Sequence, residues 1–96
     1  MKLLDKARKE VDELDLGIVE VGTTKEYQYM LHNDVDAELV DIDITINNKE
    51  IVITDYPKTL KALSSGMVSF KWTPSLKIAK GNKTTFSLKA SELYKL

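Results

Sequence analysis

The feature that most constrains the fold is a strict alternation of apolar and polar residues near the middle of the chain. From residue 40 to residue 46 the sequence reads Val-Asp-Ile-Asp-Ile-Thr-Ile, with a β-branched apolar residue at every second position. Because successive side chains of a β-strand point to opposite faces, this segment predicts a strand with one buried face. Asn47 and Asn48 follow, and asparagine tolerates a positive φ, so the sequence predicts a tight hairpin into a second strand over 50–54.

The same period of two recurs along most of the chain. It predicts further strands over 16–19, 27–32, 68–73 and 85–90, with Gly, Asn, Asp and Pro residues between them. About seven short strands at roughly ten-residue spacing are typical of an all-β sandwich. The shared face of these strands predicts the core, which consists of Tyr29, Leu31, Val40, Ile42, Ile44, Phe70, Trp72, Phe86 and Leu88.

The first residues show a helical period instead. Over 2–14, apolar residues recur at spacings of three, four and three, and no Gly or Pro interrupts the run, which predicts a short N-terminal α-helix. The chain thus divides into a helical arm over 1–14 and a sandwich over 15–96. A helix this short needs a surface to pack on, either the open end of its own sandwich or another subunit. Its apolar stripe, the predicted partner-binding face, consists of Leu4, Ala7, Val11 and Leu14.

The composition narrows the classes of function. The chain has no cysteine, which excludes thiolate zinc sites and cysteine nucleophiles. Its 14 basic and 15 acidic residues leave a net charge of -1, so the bulk charge attracts neither nucleic acid nor an anionic membrane. No apolar run approaches the roughly 18 residues of a membrane-spanning helix, and the N-terminus does not resemble a signal peptide. We therefore expect an intracellular site of synthesis.

Side chains that could carry chemistry are few. Asp34, Asp36 and Glu38 alternate as calcium ligands can, but the run lacks the glycine and the distant bidentate glutamate of an EF-hand loop. His32 is the only histidine, and no nucleophile stands at a recognisable spacing from it. We interpret these residues as a turn and a strand end. The sequence thus predicts no catalytic residue, no metal site and no cofactor, and a protein that is not an enzyme.

Two further features have a structural and a functional interpretation. Trp72 could be an interaction hot spot, but it shares strand parity with Phe70, which favours the core. Lys77, Lys80 and Lys83 form a small basic patch, which in a chain of nearly balanced charge is typical of a solvated turn.

Several short motifs follow one another along the chain, namely Leu14-Asp15-Leu16-Gly17, Val21-Gly22-Thr23, Leu31-His32-Asn33-Asp34, Ser65-Gly66 and Phe70-Lys71-Trp72-Thr73-Pro74. Their order resembles the ASH-type (abnormal spindle/hydin) branch of the immunoglobulin-like superfamily, which is related to major sperm protein domains. Leu16 stands where an aromatic residue is usual, and the turn at Asn33 lacks the usual glycine. The resemblance covers 14–92 and implies an immunoglobulin-like β-sandwich that acts as a non-enzymatic interaction module.

A short, cysteine-free chain of this kind looks like a small virion protein of a tailed bacteriophage. The resemblance then implies capsid decoration or a neck or tail accessory role, with other virion subunits as partners. It implies synthesis in the host cytoplasm, location in the virion, and a possible homo-oligomer. The alternative is a cytoplasmic adaptor of the major sperm protein type, which binds a peptide or a cytoskeletal partner along a sheet edge.

Overall fold

The computed structural model describes residues 1–75 and 82–93. These residues form the strands β1 Lys2–Leu4, β2 Glu13–Gly17, β3 Lys25–His32, β4 Glu38–Ile46, β5 Ile51–Asp55, β6 Ser65–Trp72 and β7 Asn82–Leu93. One antiparallel sheet has the order β1-β3-β6-β5, and the other has the order β2-β7-β4. The all-β prediction is confirmed, and the two sheets support a β-sandwich. Within the described ranges, no helix is long and apolar enough to cross a membrane.

The predicted helix over 2–14 is wrong, because this segment contributes a strand to each sheet. β1 places Leu3 opposite Leu31 of β3, and β2 places Leu14 opposite Thr84 of β7. The boundary predicted between a helical arm and a sandwich falls inside β2.

A turn between β1 and β2 explains why good helix formers do not make a helix here. Asp5 Oδ1 accepts hydrogen bonds from the backbone N–H groups of Ala7 at 2.8 Å and Lys9 at 3.0 Å. Arg8 has a φ of 62°, outside the helical region. A carboxylate that binds its neighbouring backbone competes with helical hydrogen bonds. Helix propensity differs by less than about 1 kcal/mol per ordinary residue, so the burial of Leu3 and Leu14 outweighs it.

A bulge interrupts the alternation that predicted β4. The register between β4 and β7 shifts between Val40 and Asp43, and Asp41 has a φ of 53°. The extra residue reverses the side chains before it, so Leu39 is buried and Val40 is only half-buried. The prediction that Val40 belongs to the core is therefore wrong.

The core lies between the two sheets and contains most of the predicted residues. Buried as predicted are Leu31, Ile42, Ile44, Phe70 and Trp72, while Tyr29, Phe86 and Leu88 are half-buried and pack against them. Val68, which shares strand parity with Phe70 and Trp72, is also buried. Further buried apolar residues that were not predicted for the core include Leu3, Leu14, Leu16, Val19, Leu39 and Leu60.

An aromatic row crosses β3 and β6 beside β2. Tyr27 and Tyr29 stack on either side of Phe70, with ring centroids 5.1 Å and 5.7 Å away. Tyr27 donates its hydroxyl hydrogen to the backbone oxygen of Leu16 at 2.7 Å. Burial is the main cause that raises the pKa of both tyrosines above the ordinary value. The row therefore links the four-stranded sheet to β2 of the other sheet.

Asn33 is a fully buried polar residue, with 0% exposure, where the chain leaves β3. Its Nδ2 donates to the carbonyl oxygens of Ala37 at 2.8 Å, Lys61 at 3.0 Å and Leu60 at 3.3 Å. Its Oδ1 accepts a hydrogen bond from the N–H of Val35 at 3.0 Å. One amide thus joins the turn before β4 to the segment before β6, which are distant in sequence.

Candidate functional site

The four residues predicted to bind a partner do not share a face. Leu14 has 0% exposure, Leu4 and Val11 are half-buried, and Ala7 is exposed in the turn after β1. Spacings of three and four residues align side chains on a helix and not on a strand. Partner binding by these residues stays a prediction, but the structure does not contain the helical face on which the prediction was based.

Charged groups near the start of the chain form a small ionic cluster. Asp34 Oδ1 accepts a hydrogen bond from the amino group of Met1, and Lys2 Nζ lies 4.0 Å from Oδ2 of Asp34. The hydrogen bond from the amino group is the main cause that holds the pKa of Asp34 below its ordinary value. The carboxylate is therefore ionised at neutral pH and held by cations.

His32 is separate from this cluster. Its Nδ1 lies 2.7 Å from Oγ of Ser65, directly across the pairing of β3 with β6. By strand parity both side chains lie on the outer face of the four-stranded sheet, together with exposed Met67. Asp34, which could orient the imidazole, is bonded to Met1 instead. The structure thus does not pair His32 with Asp34.

The carboxylates of the turn before β4 do not assemble into a ligand set. Among residues 1–75 and 82–93, no group of three or more His, Cys, Asp or Glu side chains could hold a metal ion. Of the basic patch, Lys83 is exposed on β7, while Lys77 and Lys80 lie outside the described residues. That the fold needs no divalent metal stays a prediction.

Glu50, directly before β5, accepts hydrogen bonds from the last residue of β6 and from the chain that follows β6. Its Oε1 accepts a hydrogen bond from Trp72 Nε1 at 3.4 Å, and its Oε2 accepts one from the N–H of Ser75 at 2.9 Å and one from the Ser75 hydroxyl. The hydroxyl of Ser75 is the main cause that lowers the pKa of Glu50, and the N–H of Ser75 is the next. Among residues 1–75 and 82–93, the donors to this carboxylate are Trp72 and Ser75, which indicates a structural role.

The two edges of the strand β7 are paired over different parts of its length. β4 pairs with it over 86–93 on one edge, whereas β2 pairs with it over 82–85 on the other. Over 86–91, no strand of the described chain pairs with β7 on the side away from β4. We call this stretch the open edge of β7.

Burial along the inner face of β7 decreases where β2 ends. Thr84, which is opposite Leu14 of β2, is buried. Phe86 and Leu88, two and four residues further along, are half-buried, and Ala90 is exposed. These side chains point to the same face by strand parity, so the loss of burial follows the loss of the neighbouring strand.

A cleft lined by five apolar residues and Glu92 lies against the inner face of β7. It has a volume of about 290 Å³ and reaches from the start of β1 to the inner face of β7. We call it the inner cleft. On the opposite face of β7, Ser87, Lys89 and Ser91 are polar and exposed. The lining residues of the inner cleft are Met1, Val35, Leu39, Leu88, Ala90 and Glu92.

Sequence reasoning missed this site although it predicted a strand over 85–90. The alternation identified the inner residues but gave no information on which strand pairs with which edge. No local signal in the sequence shows that one edge of this strand lacks a partner.

Comparisons with known proteins found no match among family models, curated proteins or solved structures. The function proposed below therefore depends on the geometry of the chain and on the resemblance of its motifs.

Proposed function

We propose that this chain is a non-enzymatic structural and interaction module that binds neighbouring protein subunits. The observation that carries the proposal is the open edge of β7, where backbone hydrogen-bonding groups lie beside the inner cleft. A strand added at such an edge satisfies the backbone groups and covers apolar side chains at once, which is a recurring mode of protein–protein recognition. The His32–Ser65 pair, in contrast, lies on an outer sheet face and lacks the carboxylate that would orient the imidazole.

We also propose that the sandwich is immunoglobulin-like. Immunoglobulin constant-type domains have strands A, B, E and D in one sheet and C, F and G in the other. If β1 and β2 are two halves of strand A, then β3 to β7 correspond to B, C, D, E and F in order. The sheet order β1-β3-β6-β5 then reads A-B-E-D, and β7-β4 reads F-C. In this assignment the open edge of β7 lies where strand G would pair.

The setting that we propose is the virion of a tailed bacteriophage, as a capsid decoration protein or a neck or tail accessory. It is supported by the resemblance of the motifs to immunoglobulin-like modules and by an edge suited to joining subunits. A cytoplasmic adaptor of the major sperm protein type is the second candidate. The same edge favours it, because an adaptor can bind a peptide as an added strand.

Sedimentation of lysates from the source cells tests this proposal, with the chain detected by a specific antibody. A virion subunit should sediment with large particles and remain bound after washing in high salt, since an apolar strand contact is little screened by ions. An adaptor should migrate in a much smaller complex. A chain that migrates as a free monomer in every fraction contradicts both candidates.

A further inference from the structure

We infer that the open edge of β7 accepts an extended segment of a partner subunit, which joins the three-stranded sheet as an additional strand. This inference rests on the proposed function and identifies the part of the molecule through which it operates. The segment runs antiparallel to β7, in line with β2, and carries apolar side chains at every second position.

The backbone of β7 determines the conformation of the added partner segment, which we call the occupant. In an antiparallel strand, the N–H and C=O groups of successive residues point alternately to the two edges. β4 is paired with one edge of β7 throughout 86–93, so over 86–91 every second residue directs its groups to the open edge. Donors and acceptors at this spacing match another β-strand. Both existing pairings of β7 are antiparallel, and antiparallel pairs are slightly more stable per residue than parallel ones, so we assign the added strand the antiparallel direction.

The side chains of β7 set the pattern of the occupant. On the inner face, Leu88 and Ala90 meet Val35 and Leu39 across the inner cleft, and Leu88 keeps part of its surface exposed. Apolar side chains from an added strand would fill this cleft and cover Leu88. On the outer face the neighbours are polar, so the intervening positions of the occupant face solvent.

Charge disfavours a second copy of β7 as the occupant. Antiparallel pairing of β7 with itself across a two-fold axis places residues of equal parity opposite each other. We consider the registers in which most of residues 86–91 pair with residues 86–91 of the other copy. In each of them, Lys89 of one copy lies directly opposite or diagonal to Lys89 of the other copy. Like charges at these positions destabilise a strand pair. We therefore assign the edge to a segment of a different protein.

The first test adds a strand to the full chain. A flexible Gly/Ser linker after Leu96 joins an eight-residue segment that alternates valine and threonine, because tethering gives the segment a high effective concentration. The melting temperature should rise by about 5 °C or more, and amides over 86–91 should exchange more slowly with solvent. An extension with serine in place of each valine should change neither. If the valine extension leaves both quantities unchanged, the inference is overturned.

The second test uses two neighbouring exposed positions as a matched pair. Ala90→Asp adds a second carboxylate to the inner cleft, which Glu92 already lines, and Ser91→Asp places the same charge on the opposite face. Both variants should keep the circular dichroism spectrum of the parent. Ala90→Asp should abolish the stabilisation by the valine extension and release the unextended chain from particles, while Ser91→Asp should do neither.

The outcomes separate this inference from the proposed function. An Ala90→Asp chain that still sediments with particles overturns the inference and leaves the proposed function standing. A concentration-dependent dimer of the unextended chain that Ala90→Asp dissociates makes a second copy the occupant, and it also overturns the assignment to a partner subunit.

Discussion

Replacing Trp72 with alanine should lower the free energy of unfolding by about 3–5 kcal/mol, the usual cost of truncating a large buried aromatic side chain. Trp72 has 0% exposure and pairs with Lys25 of β3 on one side and Ile51 of β5 on the other. The substitution leaves a cavity between the sheets and removes the indole donor from Glu50. A domain of this size is stable by only about 5–15 kcal/mol, so urea denaturation should show a large fall in the midpoint.

Met67→Ala is the matched control for Trp72→Ala, because Met67 lies on the same strand and is 50% exposed on the outer face. Met67→Ala should lower the free energy of unfolding by less than about 1 kcal/mol. If Trp72→Ala and Met67→Ala lower the free energy of unfolding equally, the inner face of β6 has been assigned incorrectly.

Asn33→Asp should destabilise the fold by about 3 kcal/mol or more at neutral pH, although the two side chains have nearly the same shape. The amide nitrogen of Asn33 is 2.8–3.3 Å from three backbone carbonyl oxygens. A carboxylate oxygen in that place repels all three carbonyl oxygens and is itself a buried charge without those donors. The oxygens of Leu60 and Lys61 keep hydrogen bonds from Leu39 and Ser64, so the cost comes mainly from the buried charge. Unsatisfied buried groups cost about 1–3 kcal/mol, more when charged. The loss is measured by thermal and urea unfolding.

Asn47→Asp makes the same chemical change at an exposed position after β4, where Asn47 Nδ2 bonds only to Oγ1 of Thr85 among the contacts of its side chain. Its effect should stay within about 0.5 kcal/mol. A result in which Asn33→Asp is as mild as Asn47→Asp contradicts a structural role for the Asn33 network.

The alternation of apolar and polar residues predicted the central strands of the fold, because a period of two shows directly which face of a strand is buried. It placed Phe70 and Trp72 of β6 and Ile42 and Ile44 of β4 in the core, and the structure confirms them. It failed at Val40 because a bulge depends on how β4 pairs with β7, which the sequence of β4 alone does not contain.

The N-terminal segment could not be predicted from local preference for a different reason. Residues 2–14 have helix-forming composition, but β1 and β2 are stabilised by strands distant in the chain. Two local signals were present, namely the alternation of Leu14 with Leu16 and an aspartate at position 5 able to close a turn. Pairing with distant strands favoured the strand period of two over the helical period in this segment. Tertiary contacts commonly outweigh local preference in short amphipathic segments.

Amide hydrogen exchange along β7 in the isolated chain tests most directly whether this strand has an open edge. Over 82–85, where β2 pairs with the start of the strand, amides that point to β2 should be protected. Over 86–91, protection should alternate, with amides directed to β4 protected and amides directed to the open edge exchanging close to the rate of an unstructured peptide. Uniform protection of all amides over 86–91 would show that another part of the chain already pairs there, and it would contradict the presence of an open edge.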